Sequence, residues 1–309
     1  MIMKRKLVKQ GMNALTITLP SEWIKRKNLK PGDEVEMFES EESLNISTEK
    51  KLQAKEITVD ASGLIPRLAD RFLARSYQKG YDKITVKFDS SEIEMAIKNK
   101  IPELMGYEVL NTTKNSMDVQ IISTNLDLDF DTLLRRAFFL LMEMAETCHD
   151  AWKNADNKSL ENIFYKDYDV NRFLYFCLRK LNTSHEMASF GRSILYYLIE
   201  TLEDLGDELK ALGKILAECK VDKDILLIIK KMNELLRMSY EFFYEPKKKK
   251  AVDAFLLAKE TQKLIDECLG KKNKDMTKAL IALEVSMRII SHLTTMRLDT
   301  LKELSGEKR

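Results

Sequence analysis

Five prolines and ten glycines in 309 residues are too few for a turn-dense all-β fold. With 44% hydrophobic and 32% charged residues, the balance favours a helix-rich globular protein over a disordered one. Three histidines leave little for zinc or general-base chemistry. The four cysteines, at 148, 177, 219 and 268, are far apart and form no C-x-x-C pair, which excludes a thiolate cluster. With no signal peptide, they are expected to be reduced core thiols of a cytoplasmic protein. No apolar run approaches the roughly 18 residues of a membrane span. There is no phosphate loop, and neither Ser21 nor Ser193 sits in a nucleophile-elbow context.

An excess of one charge is missing from the whole chain but present locally. Lys+Arg 51 against Asp+Glu 49 names no partner, yet residues 1–30 hold eight basic residues and only Glu22 as an acid, a net +7. That asymmetry suits a nucleic-acid surface. Leu15–Leu19 alternates with period two and reads as a strand ended by Pro20; Ser21–Lys27 reads as one or two helical turns with Trp23 and Ile24 inward. Pro31-Gly32-Asp33 is a turn, and Glu34–Phe38 with Leu44–Ser47 a hairpin.

Residues 51–125 read as a small α/β domain. Strands are expected at Ile57–Val59, Ile84–Phe88, Val109–Thr112 and Val119–Ser123, with helices at Ile65–Lys79, stopped by Gly80, and Glu92–Lys100. From Asp127 onward the pattern is helical. Phe130, Leu134, Ala137, Leu141, Met144, Cys148 and Trp152 form a stripe at steps of three and four, and further helices are expected at 158–182, 189–218, 222–244, 250–269 and 273–304. Short breaks at Asn154–Asn157, Glu245-Pro246 and Gly270–Asn273 imply antiparallel neighbours in two sets of three. The Met and aromatic positions Phe138, Met142, Met144, Phe173, Phe176, Tyr196 and Tyr197 are expected in the core, and Lys247–Lys250 in an exposed turn.

The run Lys9-Gln10-Gly11-Met12-Asn13-Ala14-Leu15-Thr16-Ile17-Thr18-Leu19-Pro20, followed by Leu29-Lys30-Pro31-Gly32-Asp33-Glu34-Val35, resembles the AbrB/MazE/SpoVT swapped-hairpin DNA-binding family over about residues 3–48. The resemblance implies two chains interleaving their hairpins into one barrel, hence a homodimer. A copy of about 45 residues could hardly bury a core alone, which points the same way. By resemblance, the arm residues Lys4, Arg5 and Lys9 and the helix residues Lys25, Arg26 and Lys27 would face DNA. Several family arginines are lysine here, which weakens bidentate guanine readout.

Five acids fall within nine residues: Glu200, Glu203, Asp204, Asp207 and Glu208. Their i,i+4 like-charge pairs each cost roughly 0.2–0.5 kcal/mol in an isolated helix, so water, Lys210 and Lys214, or a cation should offset them. Leu202-Glu203-Asp204-Leu205-Gly206-Asp207 resembles a segment of the PhoU proteins, regulators of phosphate uptake built from two three-helix repeats. That resemblance covers about residues 127–304. It implies a divalent or iron cation at the bundle surface, held by Asp167, Glu203 and Asp207. Asn171 replaces an acid of the partner motif, and Met287 and Ser291 remove both carboxylates of the second site.

The expected architecture is therefore multidomain and mainly α. Residues 1–50 form a dimeric swapped-hairpin β-barrel, 51–125 a small α/β domain, and 126–309 a PhoU-like bundle with repeats at about 127–219 and 221–305. The chain resembles the archaeal combination of an AbrB-like head with a PhoU-like body. The function implied is that of a non-catalytic, DNA-binding regulator of phosphate uptake or homeostasis. The alternative is an adaptor that docks a phosphate transporter or signalling protein, its head serving only for dimerisation. A metal-dependent hydrolase using Glu203 and Asp207 is a weaker third reading. Glu146-Thr147-Cys148-His149 is a lone Glu-x-x-His and does not make a di-iron centre.

Overall fold

A computed structural model describes residues 4–12, 14–40, 43–48, 54–122, 128–183, 191–299 and 301. The expected positions Asn13, Ser123 and Asp127, and the outer ends of the helices placed at 189–218 and 273–304, lie outside the described residues. The chain divides into two compact units, Met1–Gln53 and Ala54–Arg309.

The first unit, the head, contains β1 (Val8–Gln10), β2 (Ala14–Thr16), α1 (Ser21–Lys27), β3 (Glu36–Ser40) and β4 (Ser43–Ser47). β1 pairs antiparallel with β2, and β3 with β4. β2 stops at Thr16, short of the expected Leu19, because its ladder ends where Thr16 meets Val8 and, among the described residues, no strand pairs with the chain beyond. Pro20 caps α1, its carbonyl accepting from the Trp23 and Ile24 amides at 3.0 Å each. Pro31-Gly32 makes the expected turn. The Asp33 amide donates to the Lys30 carbonyl at 3.0 Å, and Gly32 takes the positive φ of 95° that the third turn position demands.

The second unit, the body, begins with β5 (Glu56–Asp60), α2 (Pro66–Gln78), β6 (Lys83–Lys87), α3 (Ser91–Lys100), a 3₁₀ turn (Ile101–Glu103), β7 (Tyr107–Thr112) and β8 (Ser116–Ile121). The strand order is β5-β6-β8-β7, with β5 and β6 parallel and β8 antiparallel to both neighbours. A parallel pair needs a crossover connection, and α2 supplies it. Ile84, Val86, Met117 and Val119 bury one sheet face while Thr58, Lys87 and their neighbours leave the other polar. α2 buries Ala69, Leu73 and Tyr77, whereas Leu68 and Phe72 are about half exposed.

Among the described residues six helices follow: α4 (Phe130–Lys153), α5 (Asn157–Thr183), α6 (Arg192–Ala217), α7 (Lys223–Tyr244), α8 (Lys248–Cys268) and α9 (Lys274–Asp299). Their starts are chemically marked. Asp129 accepts from the Thr132 amide at 2.8 Å, and Asp222 accepts from the Asp224 and Ile225 amides. α4, α5 and α6 pack on one another, as do α7, α8 and α9, while α6 against α9 and α4 against α7 join the two sets. The stripe from Leu134 to Trp152 is buried as expected, but Tyr197 is 55% exposed. It stands one position off the α6 stripe of Leu198, Leu202, Leu205 and Leu209, which faces the core. Lys247–Lys249 are exposed as expected, but Lys248–Lys250 belong to the first turn of α8, where Lys250 pairs with Glu241 and Glu245. One stretch, Lys274–Leu298 of α9, is long and apolar enough to cross a membrane by length and composition, contrary to expectation. It packs against α6, α7 and α8, as a core helix does.

The α/β layer and the helices share one compact unit, and Arg179 of α5 is a main tie between them. Its guanidinium donates to the carbonyls of Tyr77 (2.9 Å) and Tyr81 (2.6 Å) and to Asp82 (2.7 Å), and lies 5.0 Å from the Tyr77 ring centroid.

Candidate functional site

In the head, the six cations expected at DNA are placed by short elements. Lys9 sits mid-strand on β1, Lys4 and Arg5 precede it, and Lys25, Arg26 and Lys27 form the last turn of α1. Cations there meet the negative end of the helix dipole, which stabilises them where they stand. Five are exposed and Lys27 is half-buried; among the described residues none forms a salt bridge. The apolar side chains are equally uncommitted. No described head residue is buried, and Leu7, Leu15, Met37 and Leu44 are each more than half exposed. Trp23 and Ile24 reach only intermediate burial.

In the body, Asp167, Glu203 and Asp207 lie on facing helices, yet each meets a different partner. The Lys210 ammonium stands between two of them, 2.6 Å from Asp167 Oδ2 and 2.5 Å from Asp207 Oδ1. Glu203 instead accepts a 3.0 Å hydrogen bond from the Tyr175 hydroxyl. Among the described residues no three His, Cys, Asp or Glu side chains converge closely enough to hold a metal ion. The expected metal set is thus not assembled, because a side-chain ammonium fills the position between its carboxylates. Gly206 explains how Asp167 comes so near α6: a Cβ there would lie 3.0 Å from Asp167 Oδ1.

The acidic face of α6 is offset mainly from a distance. Glu200 receives both terminal nitrogens of Arg75 on α2, one at 2.6 Å, a bidentate pair joining residues 125 positions apart. Burial, with the like charge of Glu200, raises the Glu203 carboxyl above the usual range against the pull of Tyr175 and Arg75. Burial likewise raises Asp167 despite Lys210, and Glu103 despite Lys100. Arg75 carries no motif, and only the three-dimensional contact reveals it. Elsewhere the lone Glu-x-x-His is structural: Glu146 pairs with Arg237 at 2.7 Å and His149 faces Asp150.

The family described as Antidote-toxin recognition MazE, bacterial antitoxin, matches residues 8–51. The head is therefore a MazE/AbrB-like domain. Neither a curated protein nor a solved structure matches the chain.

Proposed function

We propose that this chain acts in the cytoplasm as a dimeric, DNA-binding transcriptional regulator, working by binding rather than catalysis. One observation carries the reading: among the described residues of the head no side chain is buried, and none of the six expected cations forms a salt bridge. An isolated copy could not repay its folding entropy, whereas two interleaved copies would bury Leu7, Leu15, Met37 and Leu44 and present the basic patch twice. A doubled patch of unpaired lysine and arginine suits a phosphate backbone.

For the body we propose a PhoU-like role in phosphate uptake. Two three-helix sets support it, as does the Leu202–Asp207 segment, whose glycine admits Asp167. The adaptor alternative, in which the body docks a phosphate transporter or signalling protein, draws support from the half-exposed Val252, Phe255 and Leu256 on α8.

Titrating duplex DNA at several salt concentrations separates the two. The regulator predicts log K falling linearly with log salt, with a slope of about −0.9 per phosphate neutralised. Lys25→Ala/Arg26→Ala/Lys27→Ala should make that slope shallower. DNA binding that is absent at low salt, or unaltered by the triple substitution, would favour the adaptor.

A further inference from the structure

A cleft of about 1130 Å³ opens in the body between α2 and α3 on one side and α5 and α6 on the other. Its floor and rim differ in chemistry. On the floor, Glu103 is 6% exposed and Asn171 9% exposed, and neither Glu103 Oε2 nor Asn171 Oδ1 has a hydrogen-bond partner among the described residues. Both oxygens are acceptors, and an unmet buried acceptor costs roughly 1–3 kcal/mol, so each calls for a donor. Glu103 Oε1 holds the Lys100 ammonium at 2.8 Å, which sets a donor directly beside the open acceptor.

The rim supplies two other features. Arg67 and Arg71 lie one turn apart on α2, exposed, and neither guanidinium is in a salt bridge among the described residues. Across from them Phe164 and Tyr165 are 59% and 69% exposed, with ring centroids 5.8 Å apart. Exposed aromatic faces at a cleft mouth offer stacking surface, and paired arginines offer the planar fork that grips a phosphate. The volume suits a ligand of nucleotide size and is far more than a single ion requires.

We propose that this cleft binds a purine nucleotide carrying an exocyclic amino group. The amino edge reaches the Glu103 and Asn171 oxygens, the ring stacks at Phe164 and Tyr165, and the phosphate lies on Arg67 and Arg71. A bare divalent cation would leave the arginines and the aromatics unused. The proposal stands apart from the head's DNA binding and survives if that reading fails.

Calorimetric titration of the full chain with GMP, AMP, IMP and the nucleosides guanosine and adenosine tests it. GMP or AMP should bind saturably, at least tenfold tighter than IMP, whose purine has no amino group, and at least tenfold tighter than its own nucleoside. Arg71→Ala, at an exposed position that folding tolerates, should lower affinity for the nucleotide to that of the nucleoside and leave the nucleoside unaffected. Three results would each overturn the proposal. They are an absence of saturable heat from either aminopurine nucleotide, equal affinity for IMP, and nucleotide binding indifferent to Arg71→Ala.

Discussion

The head and the body solve the same problem with different resources. In the body, side chains such as Trp152, Tyr77 and Phe138 are almost wholly buried, and long helices close around them. In the head, two three-residue strands, a five-residue hairpin pair and a seven-residue helix leave every described side chain at least partly in water. Both units carry apolar residues at regular spacing, so patterning alone does not separate them. The difference is surface-to-volume ratio: some fifty residues cannot enclose a core, while the remaining chain can. Apolar exposure therefore means incompleteness in the head, whereas in the body it is confined to positions such as Tyr197 and to local faces such as Val252, Phe255 and Leu256 on a unit that already has its core.

That contrast breaks most sharply at Leu15. By the rule for exposed positions, Leu15→Asp should shift stability by no more than about 0.5 kcal/mol. If a second copy covers Leu15, which is 63% exposed in the single chain, the substitution instead buries an unpaired charge and costs several kcal/mol of dimer affinity. The expected outcome is a monomer by sedimentation equilibrium and roughly a hundredfold loss of DNA affinity by fluorescence anisotropy, consistent with about 3 kcal/mol. A dimer that persists unchanged would show that the head is complete without its partner.

A smaller effect is expected at Arg179, where the contrast is drawn inside the body. This buried guanidinium serves two carbonyls and Asp82 of the α/β layer. Arg179→Met keeps most of the apolar volume but strips those groups of their donor, a loss of about 2–4 kcal/mol by urea denaturation. Because the α/β layer and the helices form one compact unit, the wild-type body should unfold in a single transition. The variant should broaden that transition or divide it. Unchanged midpoint and slope would mean that the apolar contacts alone fuse the layers.

These positions also show what the sequence could reveal. Helices and strands were legible because their signals are local: the 3.6-residue stripe from Leu134 to Trp152, the Gly80 stop, and the Pro31-Gly32 turn. The head's likeness was legible because a basic arm, a strand ending in proline and Leu-x-x-Gly-Asp-x-Val recur together. Tertiary pairings were not. Arg75 meets Glu200 across 125 positions, and Arg179 meets Tyr77 across 102. Nothing in either neighbourhood marks those arginines. The five-acid run on α6 did raise the right question, namely what offsets the repulsion, and Lys210 was among the answers. The sequence could not show that Lys210 would reach Asp167 as well, nor that Tyr175 would take Glu203. The cleft is the least legible feature, since Glu103, Asn171 and Arg71 come from three separate elements.

The smallest effect expected concerns Glu203, and its sign follows from linkage. Burial and the neighbouring Glu200 raise its carboxyl above the unfolded value, so the folded state binds the proton more tightly than the unfolded chain does. Its contribution to stability is complete below the unfolded carboxylate range and is lost as pH rises through the folded value. Glu103 and Asp167, raised by burial in the same region, act in the same direction. Thermal midpoints of the full chain should therefore carry a downward component with rising pH from this carboxyl group. Glu203→Gln keeps an oxygen for the Tyr175 hydroxyl and removes the titration, so its midpoint should gain on the wild type progressively as pH rises. Glu103 and Asp167 would retain their share of the slope in that variant. Parallel curves for the two proteins across this range would show that Glu203 holds its charge in the fold without penalty, and that Arg75 reaches past Glu200 to neutralise it.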